Sequence, residues 1–369
     1  MKTLKYICRI IVGVVFIFSA TTKGIDPLGF TYKLHDYFQA FHLGFLKEAS
    51  LPLTILLCTL EFLAGFSVLF NLRIKHGLTA VMILMSFFTA LTFILAIKNP
   101  VSDCGCFGDV IHLTNWQTFF KNIILFLPVI YLVINRKELY QEKNVIRSWV
   151  TLTIATVLFV AFMFYNLRYL PVVDFLPYRI GTYIPDKMII PEGKQADKYE
   201  TTLIYEKDGV KKEFTINNYP ANDTTWRFVE QKSVLVVRGY QPPIHDFSIT
   251  TTDNEDITQT ILSSDRPTML MITKKLKEAD PGLLRNGFNL GYYCKGNMIN
   301  FYVLTASGRD EIRRFSNGIT FCFTDETTLK TMIRSNPGYM LLVKGRIAGK
   351  WSWANVPDKI TLGEFINKQ

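Results

Sequence analysis

Apolar and polar positions divide this chain into two unlike halves. Up to about Leu170 long apolar runs alternate with short polar breaks, and beyond it polar residues recur every few positions. Five runs, 4–22, 51–72, 77–97, 116–134 and 149–167, reach the length a helix needs to cross a bilayer. Basic residues precede the first run as in a signal peptide, but no small-residue cleavage site follows. Ser19-Ala20-Thr21-Thr22-Lys23 leads straight into Asp26-Pro27, so the pattern predicts a retained helix. The segment 29–46 sets Phe30, Leu34, Tyr37, Phe38, Phe41 and Phe45 among polar residues. That spacing fits an amphipathic stretch along the membrane interface, and equally a packed loop helix.

The second half reads as an outer, water-exposed part. Pro171, Pro177, Pro185 and Pro191 predict an extended connector. Two alternating runs within 199–216 flank Lys207-Asp208-Gly209, a hairpin turn, and 233–238 is a further strand. Tyr240-Gln241-Pro242-Pro243 marks a boundary. From about Ile244, strands at 268–273, 300–305, 319–323, 339–344 and 346–351 alternate with helices at 278–286, 325–334 and 362–368. This order predicts a small α/β sandwich. The expected organisation is a four-helix membrane domain over 1–140 and a fifth transmembrane helix over 141–170. A linker with a small β-rich region follows over 171–239, and an α/β domain over 240–369.

Charge settles the expected orientation. The net charge is +10. With the N-terminus inside, Lys2, Lys5, Arg9, Arg73, Lys75, Arg136, Lys137, Lys143 and Arg147 are internal, while Lys23, Lys33, Lys47 and Lys98 are external. The excess of basic residues inside favours that topology. It places the loop between the third and fourth runs, and everything after Tyr169, outside. In a bacterium this is an inner-membrane protein with a cytoplasmic N-terminus and a periplasmic C-terminal domain. Flanks of membrane helices account for much of the charge, and no basic stripe with interleaved aromatics points to nucleic acid. The lipid bilayer is the first partner implied.

The candidate chemistry lies in the outer loop Ser102-Asp103-Cys104-Gly105-Cys106-Phe107-Gly108-Asp109. Gly105 and Gly108 suit tight turns with positive φ. Two thiols one residue apart fit disulfide exchange with a partner, because so small a ring is strained and easily reduced. A structural disulfide, inert thiols, or a soft metal ion held with His112 remain open alternatives. His112 is also a candidate base, whereas Asp103 and Asp109 would raise the thiol pKa if close. Glu61 stands at membrane depth, where a carboxylate needs a partner; Lys23 is a candidate. A paired helix–helix contact and a proton relay or cofactor contact both fit it. Gly65 would let another helix approach closely. Cys8 and Cys58 read as packed, inert residues.

The pattern Phe16-x-x-Ser19-x-x-x-Lys23-x-x-Asp26-Pro27, then Leu60-Glu61-Phe62-x-x-Gly65, resembles the DoxX-like membrane proteins. With the Cys-Gly-Cys-Phe-Gly loop it resembles their methylamine-utilisation protein MauE branch, over roughly 1–140. The resemblance implies a four-helix bundle with a thiol-linked or quinone-linked role in disulfide formation. It implies Cys104, Cys106 and Glu61 as catalytic residues and Lys23, Asp26 and Glu61 as contacts for a quinone cofactor, with no metal. Within 240–369, Asp246-Phe247-Ser248-Ile249 and Ser335-Asn336-Pro337-Gly338 resemble a thioredoxin fold, with Pro337 at its cis-proline position. Where thioredoxins carry Cys-x-x-Cys, this chain has Thr273-Lys274-Lys275-Leu276-Lys277, so the outer domain lacks the usual dithiol. Cys294 and Cys322 are a bridge or two free thiols. The expected function is a membrane thiol–disulfide redox or maturation factor for periplasmic proteins. The alternative is a non-enzymatic scaffold whose outer domain holds a partner protein. Broken helix pairs at matching positions, which would favour a transporter, are missing from the pattern.

Overall fold

The computed structural model describes residues 2–101, 104–111, 113–139, 144–221, 223–237, 239–315, 318–358 and 362–364. Asp103 and His112, weighed above as neighbours of the thiols, lie outside the described residues.

The first half is helical. It comprises α1 (Lys2–Ile25), α2 (Pro27–Ala40), a 3-10 turn (Gly44–Ala49), α3 (Ser50–Phe70), α4 (Ile74–Lys98), α5 (Asn115–Ile134), the single turn α6 (Arg136–Leu139) and α7 (Val145–Arg168). Five of these segments are long and apolar enough to cross a membrane: Thr3–Ile25, Gly44–Phe70, Ile74–Lys98, Asn115–Ile134 and Val145–Arg168. Apolar side chains such as Ile83, Ile97, Ile124, Leu127 and Leu158 face outward from them, a surface suited to lipid. The five expected spans are therefore present.

Local chemistry sets the helix ends near the thiol loop. Asp26 caps α2 by accepting the Gly29 N–H at 2.8 Å, and Pro27 supplies the first helical position. Thr114 and Gln117 form a reciprocal capping box at the start of α5. α1 and α3 touch closely because Gly65 has no side chain: a Cβ there would lie 2.7 Å from the Phe16 Cβ. α7 joins this pair through the Asn166 Nδ2, which donates to the Gly24 carbonyl at 3.1 Å. α2 packs Phe30, Leu34 and Tyr37 into the helical half.

The second half begins with the short helix α8 (Ile184–Met188) and a three-stranded antiparallel sheet in the order β2-β1-β3. Its strands are β1 (Lys198–Lys207), β2 (Val210–Thr215) and β3 (Arg227–Val237). The expected hairpin turns at Asp208 and Gly209, both with positive φ. β3 starts at Arg227, earlier than 233, and pairs with β1 along that extra length. Its early residues, from Arg227 to Lys232, are all exposed, so no alternation of buried apolar positions marks them.

A six-stranded sheet follows, in the order β4-β7-β6-β5-β8-β9. The chain runs β4 (Thr250–Thr251), α9 (Thr258–Leu262), β5 (Thr268–Ile272), α10 (Pro281–Gly296), β6 (Asn300–Thr305), α11 (Arg309–Ile312), β7 (Thr320–Phe323), α12 (Glu326–Met332), β8 (Gly338–Val343) and β9 (Arg346–Ser352). β5, β6 and β7 are parallel, β8 runs antiparallel beside β5, and β9 runs antiparallel beside β8. Alternate residues serve two cores: Met269 and Met271 face one with Phe301 and Leu341, Leu270 and Ile272 the other with Leu304 and Met340. A parallel strand–helix–strand unit followed by an antiparallel pair, with a cis Asn336–Pro337 bond before β8, is a thioredoxin-like arrangement. α10 extends to Gly296 rather than ending at 286. Its glycines Gly287 and Gly291 are buried against the sheet, where sequence alone reads them as breaks. Of the helix expected at 362–368, only 362–364 is described, and it is helical.

The connector after α7 is not a free tether. Tyr178 and Ile184 are buried in the second core, and the Gly181 and Ile184 N–H groups donate to Ile347 and Gly345 at 2.8 and 3.0 Å. Pro185 sits in the first turn of α8, where its missing N–H costs no helical bond, and the apolar side chains between the prolines stay free to bury.

Candidate functional site

At the end of the helical half where α1 turns into α2, the loop after α4 folds back over both helices. Gly105 and Gly108 have φ of 60° and 57°. The loop backbone is held at both cysteines. Tyr37 on α2 donates its hydroxyl to the Cys104 carbonyl at 2.5 Å, and Ser19 on α1 donates to the Cys106 carbonyl at 2.8 Å. The Asn115 Nδ2 ties the loop's start by donating to the Val101 carbonyl at 2.7 Å.

These anchors bring the Cys104 and Cys106 sulfurs to 2.9 Å, as two free thiols. Cys104 is the more buried. Its sulfur lies 3.3 Å from the Thr118 Oγ1 and accepts the Cys106 N–H at 3.4 Å. The hydrogen bond with the Cys106 thiol lowers the Cys104 pKa to about 6 against the opposing effect of burial, helped by Thr118, the Cys106 N–H and the Lys121 ammonium. The same thiol–thiol bond, with burial, pushes Cys106 up. The geometry thus makes one thiolate and one thiol.

Below the loop lies a cavity of about 390 Å³. Phe16, Phe30, Leu34, Phe38, Leu57, Met85, Phe88 and Leu91 make its apolar walls, and Cys104 and Cys106 sit in its wall. Its polar groups are few: Ser19, Lys23, Tyr37, Glu61, Thr92, Lys121 and Asn122. Lys23 on α1 and Glu61 on α3 form a buried ion pair, with the Nζ 2.7 Å from Oε1 and 2.5 Å from Oε2. The ammonium also lies 5.0 Å from the Phe30 ring centroid. The Ser19 hydroxyl, 3.3 Å from the Glu61 Oε2, links the pair to the cysteine loop.

Four of the five residues singled out in the sequence, Lys23, Glu61, Cys104 and Cys106, therefore meet at one cavity. Asp26 goes elsewhere: its Oδ2 accepts from the Arg334 Nε at 2.6 Å, and it does not line the cavity. Asp109 is likewise engaged, accepting from the Arg334 Nη2 at 3.0 Å. Lys121, Tyr37 and Thr118 are site residues that sequence reasoning missed. Tyr37 and Lys121 sit among apolar residues where nothing in the spacing marks them, and Lys121 stands 4.3 Å above the Phe107 ring in a transmembrane helix. That depth was the available signal, since an intramembrane cation needs a partner. Among the described residues no group of three His, Cys, Asp or Glu side chains could hold a metal ion.

Comparison with known proteins finds similarity to several segments of the chain. Residues 1–135 match the family of methylamine utilisation protein MauE. Residues 199–238, the three-stranded sheet, match a domain of unknown function, DUF8463. Protein TlpB of Flavobacterium psychrophilum is 27% identical over 158 residues, covering 42% of this chain and 43% of that protein. The chain thus matches less than half the length of this curated relative. A candidate protein disulfide isomerase from Bacteroides thetaiotaomicron, solved in solution, aligns over 33% of this chain and 82% of its own at 13% identity. Its TM-score is 0.26, too loose a superposition to carry weight.

Proposed function

From a MauE-family membrane segment joined to a thioredoxin-like outer domain, we propose a membrane thiol–disulfide oxidoreductase that oxidises the dithiols of periplasmic proteins. The observation that carries this reading is the placing of Cys104 and Cys106, 2.9 Å apart, in the wall of an apolar cavity that also contains the Lys23–Glu61 pair. The excess of basic residues on the N-terminal side supports an inner-membrane orientation with the loop in the periplasm.

The asymmetry of the thiols supports distinct roles for them. With the pair oxidised, a client thiolate attacks the Cys106 sulfur, the less buried of the two. The Cys104–Cys106 bond breaks, a client–Cys106 mixed disulfide forms, and Cys104 leaves as a thiolate. A thiol of low pKa leaves faster, and Thr118, the Cys106 N–H and Lys121 already surround Cys104. The client's second thiolate then displaces Cys106. The client departs with a disulfide, and Cys104 and Cys106 keep its two electrons.

Renewing the disulfide requires a two-electron acceptor. The cavity fits a lipid-soluble quinone: its volume lies in the range of small-molecule sites, and a few polar groups converge within apolar walls. Lys23, Glu61, Phe30 and Phe88 would hold the ring. A quinone bound there would supply an acceptor for two electrons and two protons. Lys23 and Glu61 hold an exchangeable proton at the wall, and Ser19 connects Glu61 to the loop. Asp26 is left out of this set because Arg334 engages its carboxylate.

The test is to trap the redox state of Cys104 and Cys106 by alkylation in cells with and without quinone. The expected result is accumulation of the reduced pair on quinone depletion. A pair that stays fully oxidised in both, with no mixed disulfide, would overturn the reading. The rival then stands: a scaffold whose outer domain holds a partner protein, favoured by the absence of cysteine from Thr273–Lys277.

A further inference from the structure

We infer that the outer domain gates the thiol pair and that Arg334 is the latch. The inference rests on the redox reading above, because it concerns access to the same sulfurs. Arg334 lies just beyond α12, only 7% exposed. Its guanidinium reaches two carboxylates of the membrane half at once, Asp26 at the cap of α2 and Asp109 in the cysteine loop. A planar fork of donors suits that double contact, which a lysine could not reproduce. Asp109 follows Cys106 closely in a short loop, so the latch fixes the loop against the helix that covers the cavity.

A second cluster joins the same two surfaces. The Tyr32 ring on α2 faces Lys274, Lys330 and Arg334, whose charges lie 5.0, 5.1 and 5.4 Å from its centroid. Lys274 also donates to the Tyr32 hydroxyl. Thr273 and Lys274 follow β5, the place where a thioredoxin carries its dithiol. The outer domain therefore docks by the end that lacks thiols, and this end meets the membrane half beside Cys104 and Cys106.

Two routes to the sulfurs differ as a result. From water, a client must reach Cys106, the sulfur it attacks, through a loop that Arg334 of the docked end holds at Asp109. From the bilayer, the cavity reaches the surface of α4 at Phe87, which lines it and is 55% exposed. Opening the latch changes the first route and not the second. A client dithiol thus reaches the pair only when the outer domain lifts, while the lipid-side cavity stays accessible throughout.

The experiment uses the full chain in lipid nanodiscs, chemically reduced, with modification of the Cys104–Cys106 peptide followed by mass spectrometry. Two reagents are compared: a large polar polyethylene-glycol maleimide and the small, membrane-permeant N-ethylmaleimide. In Arg334→Gln and in Asp109→Asn the large reagent is expected to react roughly ten-fold faster or more, because removing one partner frees a buried ion pair. The small reagent is expected to stay within about two-fold of the parent, since a change of local opening leaves its route alone. An unchanged rate for the large reagent in both variants overturns the gate. So does an equal acceleration of both reagents, which marks a loosened loop. If Arg334→Gln fails to accumulate, Asp109→Asn decides alone. The protein is reduced beforehand, so the outcome is independent of the quinone-depletion result, and failure of the redox reading shows only there.

Discussion

At the scale of single residues, one hydrogen bond makes two chemically equal thiols unequal. The Cys104 pKa is lowered to about 6, so its reaction with iodoacetamide in reduced protein should reach half its maximal rate near that pH. Lys121→Met should move the midpoint up slightly, because its charge is the smallest of the effects that lower the Cys104 pKa. A midpoint that stays near an ordinary thiol's in the parent protein would refute the assignment. The sign for stability follows. Between about 6 and the ordinary thiol value of about 8.5, the unfolded chain binds more protons than the folded one, so the reduced protein gains stability as pH rises through that window. Lys23 and Glu61 are both 3% exposed, and truncating one partner leaves a buried charge. Glu61→Ala or Lys23→Ala alone should each destabilise the protein by about 3–5 kcal/mol, and Lys23→Met with Glu61→Leu together by much less, as read by denaturation in detergent. Both residues were legible in sequence because charge in a membrane helix stands out. Their pairing was only one of the options sequence left open.

At the scale of elements, the contact between α1 and α3 carries the site, since each contributes one half of the buried pair. Gly65 keeps these helices close. Gly65→Val should force them apart and cost about 1–3 kcal/mol by overpacking, seen as a lower melting temperature in detergent. The same variant should slow re-oxidation of Cys104 and Cys106, because Lys23 and Glu61 move with their helices. The transmembrane helices were legible because length and hydropathy suffice to identify a span. The exposed half of β3 and the glycine-bearing α10 were not. Exposed strands need no apolar alternation, and a glycine breaks a helix only where tertiary packing does not reward it.

At the scale of the whole molecule, the sheet separates groups that the chain might have joined. Cys294 on α10 belongs to the core on one face, Cys322 on β7 to the core on the other. Both are free, and burial pushes both thiols up to about 12. Cys294→Ala with Cys322→Ala should leave mobility unchanged on a non-reducing gel; a shift relative to the parent would reveal a bridge. The docking of the C-terminal domain belongs to this scale too. Lys350 donates to Asp174 of the connector at 2.6 Å and Arg168 lies 5.7 Å from the Trp353 ring, so the contact extends well beyond Arg334.

The sequence by itself determined the membrane spans, the cysteine loop, the buried carboxylate and the absence of cysteine from Thr273–Lys277 in the C-terminal domain. Each of these is a local property: a run of apolar residues, a spacing, a charge where charge is costly, a missing residue type. Tertiary structure alone decided that Lys23 meets Glu61 at the cavity bearing the thiols, that Cys104 is the acidic thiol, and that Asp26 turns to Arg334. Those outcomes join positions as far apart as 26 and 334. The energies involved are desolvation and pairing, which depend on neighbours in space and leave no periodic trace along the chain.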